Sequence, residues 1–406
     1  MSSQSTTAGD VATFQLVALQ DALRSAGIEG WLFYFFHSND ELALRILGLN
    51  NAAFCSRRWF YFVPKTGSPR KLVHKIEAGA LDALPGEKLV YAGWRELEDK
   101  LAELLNGVQV VAMQYSPRNA IPYVSRVDAG IVELVRALSV NVVSSADLVQ
   151  LFEAKWTAAQ LQSHIEAGEI LKKIVFEAFD EIRKRTGSGA GLTEYDLQQF
   201  IVEAYERYGL TTNHPPIVAV NANSGNPHYQ PSENLHAPIG AHDFVLLDIW
   251  AKQKQPADSV YADITWTGYV GKNVPAKYVE IFDIVRGARD AALENVRDAV
   301  AGGRDIFGWQ VDDVARKYIA DRGFGEYFVH RTGHSIGLEV HGNGANIDNF
   351  ETRDERRLIP HTGFSIEPGI YLPEFGVRSE IDVYIGNGEV IVAGQPIQTE
   401  IIPILA

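Results

Sequence analysis

The chain has one cysteine, Cys55, in 406 residues. A disulfide framework within the chain is therefore excluded, and a lone thiol fits a reducing compartment. Long apolar runs are missing too. The longest aromatic-rich stretch, Trp31 to Phe36, is far too short to span a bilayer. The opening MSSQSTTAGD is polar and lacks the basic and apolar regions of a secretory signal. The expectation is a cytoplasmic protein that does not engage a membrane. Positive charge is scarce: 37 Lys and Arg stand against 51 Asp and Glu, a formal net charge of −14. That balance argues against nucleic acid or an acidic lipid surface as a main partner.

What is present is ordinary for a globular protein, with 46% hydrophobic and 22% charged residues. The length exceeds one ordinary core, which predicts two domains. Residues 10–155 alternate between helical and strand patterns, which implies an α/β layer domain. Asp10 is placed to N-cap a helix with apolar residues at Val11, Phe14, Leu16, Val17, Leu19 and Leu23, ended by Gly27. Strands are expected at WLFYFF, WFYFVP, KLVH, KLVYA and VQVVAMQY, with a helix at RELEDKLAELLNG. This region holds no G-x-G-x-x-G or Walker motif. A boundary is expected near Lys155, dividing the chain into 1–155 and 156–406. Thr157 with Gln160 forms a capping-box pattern before a long amphipathic helix that runs to about Arg185 and stops at TGSGAG. Thr193 with Asp196 marks the next helix start and Gly209 its end. Strands follow at PPIVAVN and DFVLLDIWA, then helices from near Pro275 and near Trp309, then three more strand runs. The layout is compatible with two similar halves.

Five potential metal ligands lie in the last 160 residues: Asp248, Asp263, His334, Glu367 and Glu380. Their contexts are LLDIWA, YADITWT, RTGHSIGLEVHG, FSIEPGIYLP and GVRSEIDV. A lone Asp at a strand end is most often a turn former. Two of them on neighbouring strands joined by a short connection make a better case, since a hairpin would set them at facing positions. His334 lies between glycines, where backbone can approach an ion closely, and His341 follows seven residues later. A single strand histidine is more often part of a core or surface. Glu367 and Glu380 end or enter apolar strands, where an unpaired charge is costly and a metal would relieve the cost. Four carboxylates and one imidazole suit two hard or borderline divalent ions, Mn²⁺ first, with Zn²⁺, Co²⁺ and Fe²⁺ as alternatives. Two ions about 3.5–4 Å apart can share a hydroxide and clamp a tetrahedral intermediate, so the expected chemistry is hydrolysis.

These strings, GHSIGLEVH and IEPGIY above all, resemble the pita-bread metallopeptidase family in its Xaa-Pro branch of prolidases and aminopeptidases P. The resemblance covers roughly residues 157–400, and residues 10–155 look like that branch's creatinase-type N-terminal domain. It implies an α+β pita-bread catalytic domain beside a smaller α/β domain, in a homodimer that hydrolyses proline-containing di- or oligopeptides. It also implies roles. Asp248 resembles the bidentate ligand of one ion, Asp263 and Glu380 the bridging carboxylates, and His334 and Glu367 the ligands of the other ion. Glu367 further matches the carboxylate that takes a proton from the attacking water. His228, in NPHYQP, and His341 look like substrate-side histidines. Arg353, in FETRDERRL, and Arg378 match arginines that meet the substrate carboxylate or hold the site. Tyr229, Tyr371 and Trp266 could line a proline pocket, although aromatics near a site are usually core.

Three departures from the family pattern stand out. Asp248 and Asp263 are 15 positions apart, a few more than the pattern has, and the extra residues form the polar loop KQKQPADS. Asp258 in that loop is thereby a competitor as ligand. DITWT carries Trp266 where many members carry Arg. DIWA and GHSIG replace Asp-x-Gly and GHGIG. Rival functions on this fold are a creatinase-like amidinohydrolase, a metal-dependent lyase acting on a sulfonium substrate, and a non-catalytic binding module. The amidinohydrolase and binding-module branches do not keep all five ligands, whereas this chain does.

Overall fold

A computed structural model describes residues 8–49 and 55–406. The first seven residues, and the side chains of 8–15 with Val11 and Phe14 among them, lie outside that description. Contacts divide the chain into two compact units, Met1–Glu153 and Ala154–Ala406.

The first unit alternates helices and strands: α1 (Ala8–Ala26), β1 (Gly30–Phe35), α2 (Glu41–Ile46), β2 (Trp59–Pro64), β3 (Arg70–His74), β4 (Glu87–Tyr91), α3 (Trp94–Leu104), β5 (Val110–Met113), α4 (Ala129–Ala137), β6 (Asn141–Ser144) and α5 (Ala146–Glu153). Asp10 falls inside α1 and does not cap it. The strands form one mixed sheet in the order β4-β3-β2-β1-β5-β6. Apolar clusters cover both faces, one around Trp31, Phe33 and Tyr61, the other around Leu32, Phe60 and Leu101. This two-sided burial explains why the strand segments read as continuous apolar runs.

The second unit begins with α6 (Ala158–Ser188) and α7 (Glu194–Arg207). Both starts are reciprocal capping boxes, Thr157 with Gln160 and Thr193 with Asp196, which satisfy end N–H groups that would otherwise lack partners. Gly189 stops α6 in the left-handed conformation, at φ 70°. Then come β7 (Leu210–Thr211), β8 (Ile217–Val220), β9 (Phe244–Gln253), β10 (Ala262–Tyr269), α8 (Ala276–Ala301) and α9 (Gly308–Ala320). The unit finishes with β11 (Ser335–Ile336), β12 (Thr362–Ile366), β13 (Gly369–Tyr371), β14 (Gly376–Arg378), β15 (Ile381–Ile385), β16 (Val390–Val392) and β17 (Ile402–Pro403).

Two sheets result. One has the order β17-β10-β9-β7 with β8 also on β9, the other β11-β12-β15-β16, and β13 and β14 form a separate hairpin. Each sheet carries a helix pair on one face. Leu171, Ile174, Leu197 and Ile201 of α6 and α7 pack on Val245, Leu247, Ile249, Ile264 and Trp266. Phe282, Val285, Val311 and Ala315 of α8 and α9 pack with Phe364, Ile366, Ile381 and Val383. The second unit is thus an α+β arrangement of two helix-backed sheets.

Strand parity decides what the other faces carry, because alternate side chains point to opposite sides. On β9 and β10, Val245, Leu247, Ile249, Ile264 and Trp266 take the helix side. Asp248, Asp263 and Thr265 take the opposite side. On β15, Ile381 and Val383 take the helix side, which leaves Asp382, and Glu380 just before the strand, facing away.

Candidate metal centre

The acids predicted from the sequence meet on those opposite faces. Asp263, His334 and Glu380 are all buried, and their ligand-type atoms lie within 4.8 Å of one another. His334 Nε2 is 3.7 Å from Asp263 Oδ2 and 3.4 Å from Glu367 Oε1. Asp248 is joined to this group through Arg378, whose Nη2 donates to Asp248 Oδ2 and whose Nε lies 3.9 Å from Glu367 Oε2. Asp248 and Asp263 share a face but do not stand opposite each other. Asp248 pairs with Thr265, and Asp263 pairs with Trp250. They are diagonal neighbours, one pleat apart, because the connection between β9 and β10 is longer than a tight hairpin turn.

The surroundings of each donor fix its orientation. His334 Nδ1 lies 3.1 Å from the carbonyl oxygen of Ser335. A carbonyl only accepts, so Nδ1 carries the proton and Nε2 keeps a free lone pair toward the acids. Gly333 beside it serves strand packing. A Cβ there would collide with the carbonyl of Ser365, so the close approach is to protein backbone. Ser365 Oγ donates to Glu367 Oε1 at 3.1 Å, and Thr265 Oγ1 donates to Glu380 Oε2 at 2.8 Å. The backbone N–H of Asp263 donates to Asp382 Oδ2 at 2.7 Å.

Electrostatics mark the cluster as short of positive charge. Burial, followed by the charges of Glu380, Asp248, Asp382 and Glu367, pushes the Asp263 carboxyl well above its ordinary range. Glu380 and Asp382 are raised for the same first reason. Glu367 is pushed up to about 7 by burial, against the opposing pull of Arg378. His334 is driven well below its usual value by burial, then by His341 and Arg331, so its imidazole is neutral. Asp263 Oδ1 and Asp382 Oδ1 are buried with no hydrogen-bond partner. Buried charges are paired or bound to metal. A dense set of hard oxygen donors, one correctly protonated imidazole and an orphaned carboxylate oxygen together fit divalent cations.

The remaining expected residues divide. Arg378 is buried inside the cluster, donating from Nε to Thr265 Oγ1 at 3.2 Å and from Nη1 to the Tyr371 hydroxyl at 2.7 Å. His341 stacks edge-on against His334 at 4.3 Å between ring centroids while keeping an exposed edge. His228 is exposed and close enough to His341 to disfavour its protonation. Arg353 stands apart from the cluster, in an exposed ion pair with Glu355. The buried arginine of that stretch is Arg356, paired with Asp354 and donating to the carbonyls of Asn343 and Gly344. Trp266 packs edge-on against Phe176 on the helix side, so it is core. The Tyr229 hydroxyl is bound to Glu194. Asp258 is exposed, and its backbone carbonyl accepts from Gln160 Nε2. The Asp258→Ala variant is therefore expected to keep the parent's metal content, measured per chain after dialysis. A loss of metal there would return Asp258 to the ligand set.

Sequence reasoning missed three participants, Asp382, Thr265 and His330, and gave Tyr371 only as a pocket-lining aromatic. Asp382 and Thr265 sit two residues from Glu380 and Asp263, and strand parity could have found both. His330 and Tyr371 form a chain with Arg378. His330 Nδ1 lies 2.6 Å from the carbonyl of Arg331, so its Nε2, at 2.7 Å, accepts from the Tyr371 hydroxyl. The tyrosine oxygen is then an acceptor for Arg378. Burial, then Arg378, lowers His330 to about 3, so this proton order is kept at neutral pH.

Known proteins share this architecture. The family described as metallopeptidase family M24 matches residues 162–387. The Xaa-Pro dipeptidase of Lactobacillus delbrueckii subsp. lactis is 31% identical over 233 residues, 57% of this chain and 56% of that protein. The probable dipeptidase PepE of Mycobacterium bovis is 26% identical over 351 residues, 84% of this chain and 85% of that protein. The match thus spans a little over half the length of the Lactobacillus relative. Among solved structures, dipeptidase PepE from Mycobacterium ulcerans superposes with a TM-score of 0.68 at 25% identity, over 98% of this chain and 100% of that one. A prolidase from Thermococcus sibiricus gives 0.64 at 24% identity, over 96% and 98%. The fold is therefore the pita-bread fold expected from the sequence. The family match contains every one of the clustered acids and His334 and extends over more than half of the chain, so the chain belongs to metallopeptidase family M24.

Proposed function

We propose that the chain is a divalent-metal-dependent hydrolase of the peptide bond before proline, acting on Xaa-Pro dipeptides or longer Xaa-Pro peptides. The observation that carries this is the buried Asp263, His334 and Glu380 cluster with its unpaired Asp263 oxygen. The substrate class is supported by the names of relatives, the Xaa-Pro dipeptidases of two Lactobacillus species. Asp248, Asp263, His334, Glu367 and Glu380 would hold two ions. Manganese is the first choice for four carboxylates and one imidazole. When bound, such ions polarise a carbonyl and make hydroxide available near neutral pH.

The chain's own groups do the rest. Glu367, balanced near pH 7 in the ion-free chain, takes a proton at its carboxylate and returns it to the leaving proline nitrogen. His341 and His228 donate toward the oxygen of the scissile carbonyl. Arg378, oriented through Tyr371, keeps Asp248 and Glu367 in place. Arg353 is not assigned a substrate role, given its exposed pairing with Glu355. An Xaa-Pro bond has no amide hydrogen, so the site need satisfy no donor there. Residues 1–155 would form a creatinase-type N-terminal domain beside the catalytic domain of 156–406, in a cytoplasmic homodimer. The lone thiol, Cys55, supports the compartment. Among the described residues no helix is long and apolar enough to cross a membrane.

The test is a substrate panel on protein loaded with Mn²⁺: Xaa-Pro dipeptides, longer Xaa-Pro peptides, and the same peptides with alanine in place of proline. Cleavage confined to the proline series is expected. If the metal-loaded protein cleaved neither proline series, the proposal would fail. A second expectation concerns His228→Ala and His341→Ala. Each should retain the parent's metal content and lose about 10²–10³ in kcat, the value of a donor to a developing oxyanion. Full turnover in His341→Ala would return it to a structural role.

A further inference from the structure

Glu194 is fully buried at the first position of α7, yet among the described residues its carboxylate has no ion-pair partner. Its carboxylate instead accepts five hydrogen bonds. Oε1 takes the backbone N–H of Val220 at 2.7 Å and Asn223 Nδ2 at 3.0 Å. Oε2 takes Asn223 Nδ2 at 3.0 Å, the Tyr229 hydroxyl at 2.6 Å and the backbone N–H of Ala237 at 2.6 Å. Burying a carboxylate without a counter-ion is costly unless its lone pairs are filled. A carboxylate offers about four such sites, so this one is saturated.

All four donor groups belong to one segment, residues 220–237. Apart from Val220, the last residue of β8, and a short 3-10 turn at Asn221–Gly225, that segment belongs to no helix or strand. Val220 and Ala237 are its two ends, and both are tied to the same side chain. Asn223 and Tyr229 are tied from within. The loop is therefore wrapped around one anion, and its conformation depends on four donors pointing inward together. His228 lies inside the loop, next to Tyr229, and points away to the exposed side near His341. A second anchor, Ser224 Oγ accepting from the backbone N–H of Gly376 at 2.9 Å, fixes the loop's first turn against β14.

We infer that Glu194 is a positioning residue for His228: it holds the 220–237 loop so that this histidine stands where the substrate carbonyl is bound. This rests on the proposed role of His228 as a substrate-side donor. Glutamine at 194 keeps the size of the side chain but brings an amide NH₂ against donors that need acceptors. The loop would then relax, and His228 would shift with Tyr229. A displacement of about 1 Å in a group that must meet a reacting atom costs about 10²-fold in rate.

The experiment uses full-length protein loaded with Mn²⁺ and an Xaa-Pro dipeptide. Four variants are compared with the parent: Glu194→Gln, His228→Ala, Glu194→Gln combined with His228→Ala, and Tyr229→Phe. Bound metal per chain and kcat are measured for each. Metal should be unchanged throughout. Glu194→Gln should lose about 10²-fold in kcat, and the double variant should be no slower than His228→Ala alone, because a displaced histidine and an absent one are the same loss. Tyr229→Phe removes one donor only and should fold even where Glu194→Gln does not. It is expected to lose about tenfold, in line with one hydrogen bond. Losses that multiply in the double variant would show that Glu194 acts apart from His228 and would overturn the inference. So would full turnover in both Glu194→Gln and Tyr229→Phe while His228→Ala is impaired. Full turnover in His228→Ala would instead take down the functional role of His228, and this inference with it.

Discussion

In the Asp263→Asn variant, bound metal and turnover should both vanish, while the metal-free chain becomes more stable than the metal-free parent. Both effects come from one feature, a set of buried acids with too little positive charge around them. Asp263 is pushed up first by burial and then by four neighbouring carboxylates, and one of its oxygens has no partner. A carboxyl whose pKa is raised on folding binds more protons in the native state. Its stabilising contribution is complete below its ordinary value of 3.8 and declines as pH rises toward the raised folded value. At neutral pH, well above 3.8, the metal-free parent therefore carries a large part of that cost. Asparagine has the same shape and no charge, so that cost disappears. Thermal melts of the chelator-treated proteins should show the variant ahead at pH 7 and the gap closing toward pH 4. Metal analysis should show the variant empty. A variant that melted lower at pH 7 and kept its metal would mean that Asp263 is an ordinary structural acid.

The second large effect is proton release on loading. Asp263 and Glu380 are raised well above their usual range, and Glu367 stands at about 7. Raised groups keep their protons to higher pH than free carboxyls do, and a cation must displace those protons. His334 is lowered well below its usual value, so it arrives deprotonated and adds nothing to the release. Affinity should therefore fall as pH is lowered, by about tenfold per pH unit for each proton displaced. Titration calorimetry with Mn²⁺ in two buffers of different ionisation heat counts the protons directly. At least one per chain is expected at pH 7. A count of zero, with affinity flat between pH 8 and pH 6, would show that the acids are already ionised before the ion binds.

The ligand-type residues were legible because each stands in a short, distinctive string and their donor types match one class of cation. Their convergence also followed from local rules. Period-two alternation places Asp248 and Asp263 on one face and Glu380 on another, whatever the pairing partner. Register was not legible in the same way. It depends on how the residues between β9 and β10 turn, and a polar loop such as KQKQPADS leaves several registers open. FETRDERRL shows a related limit. It contains three arginines in nearly the same local setting, and only packing distinguishes buried Arg356 from exposed Arg353. Asp10 illustrates a third, since a good capping residue does not stop a helix that can start two residues earlier. Glu194 is a first-turn acid of α7, and nothing local in the sequence tells that a loop ending at Ala237 closes around it.

The division of donors between two sheets has a consequence for how the protein acquires its ion during synthesis. A chain emerging from the ribosome presents Asp248 and Asp263 first, then His334, then Glu367, and Glu380 last. Two carboxylates on one hairpin would be a weak and unselective grip, and the donor set is brought together only when β15 has paired with β12 and carried Glu380 across from the other sheet. An ion held by this set would therefore enter after the two sheets have formed and would not template them. The ion found in the protein should accordingly follow the divalent ions free in the compartment after synthesis, and expression in manganese-rich or zinc-rich medium should change the occupant without changing the yield of folded chain.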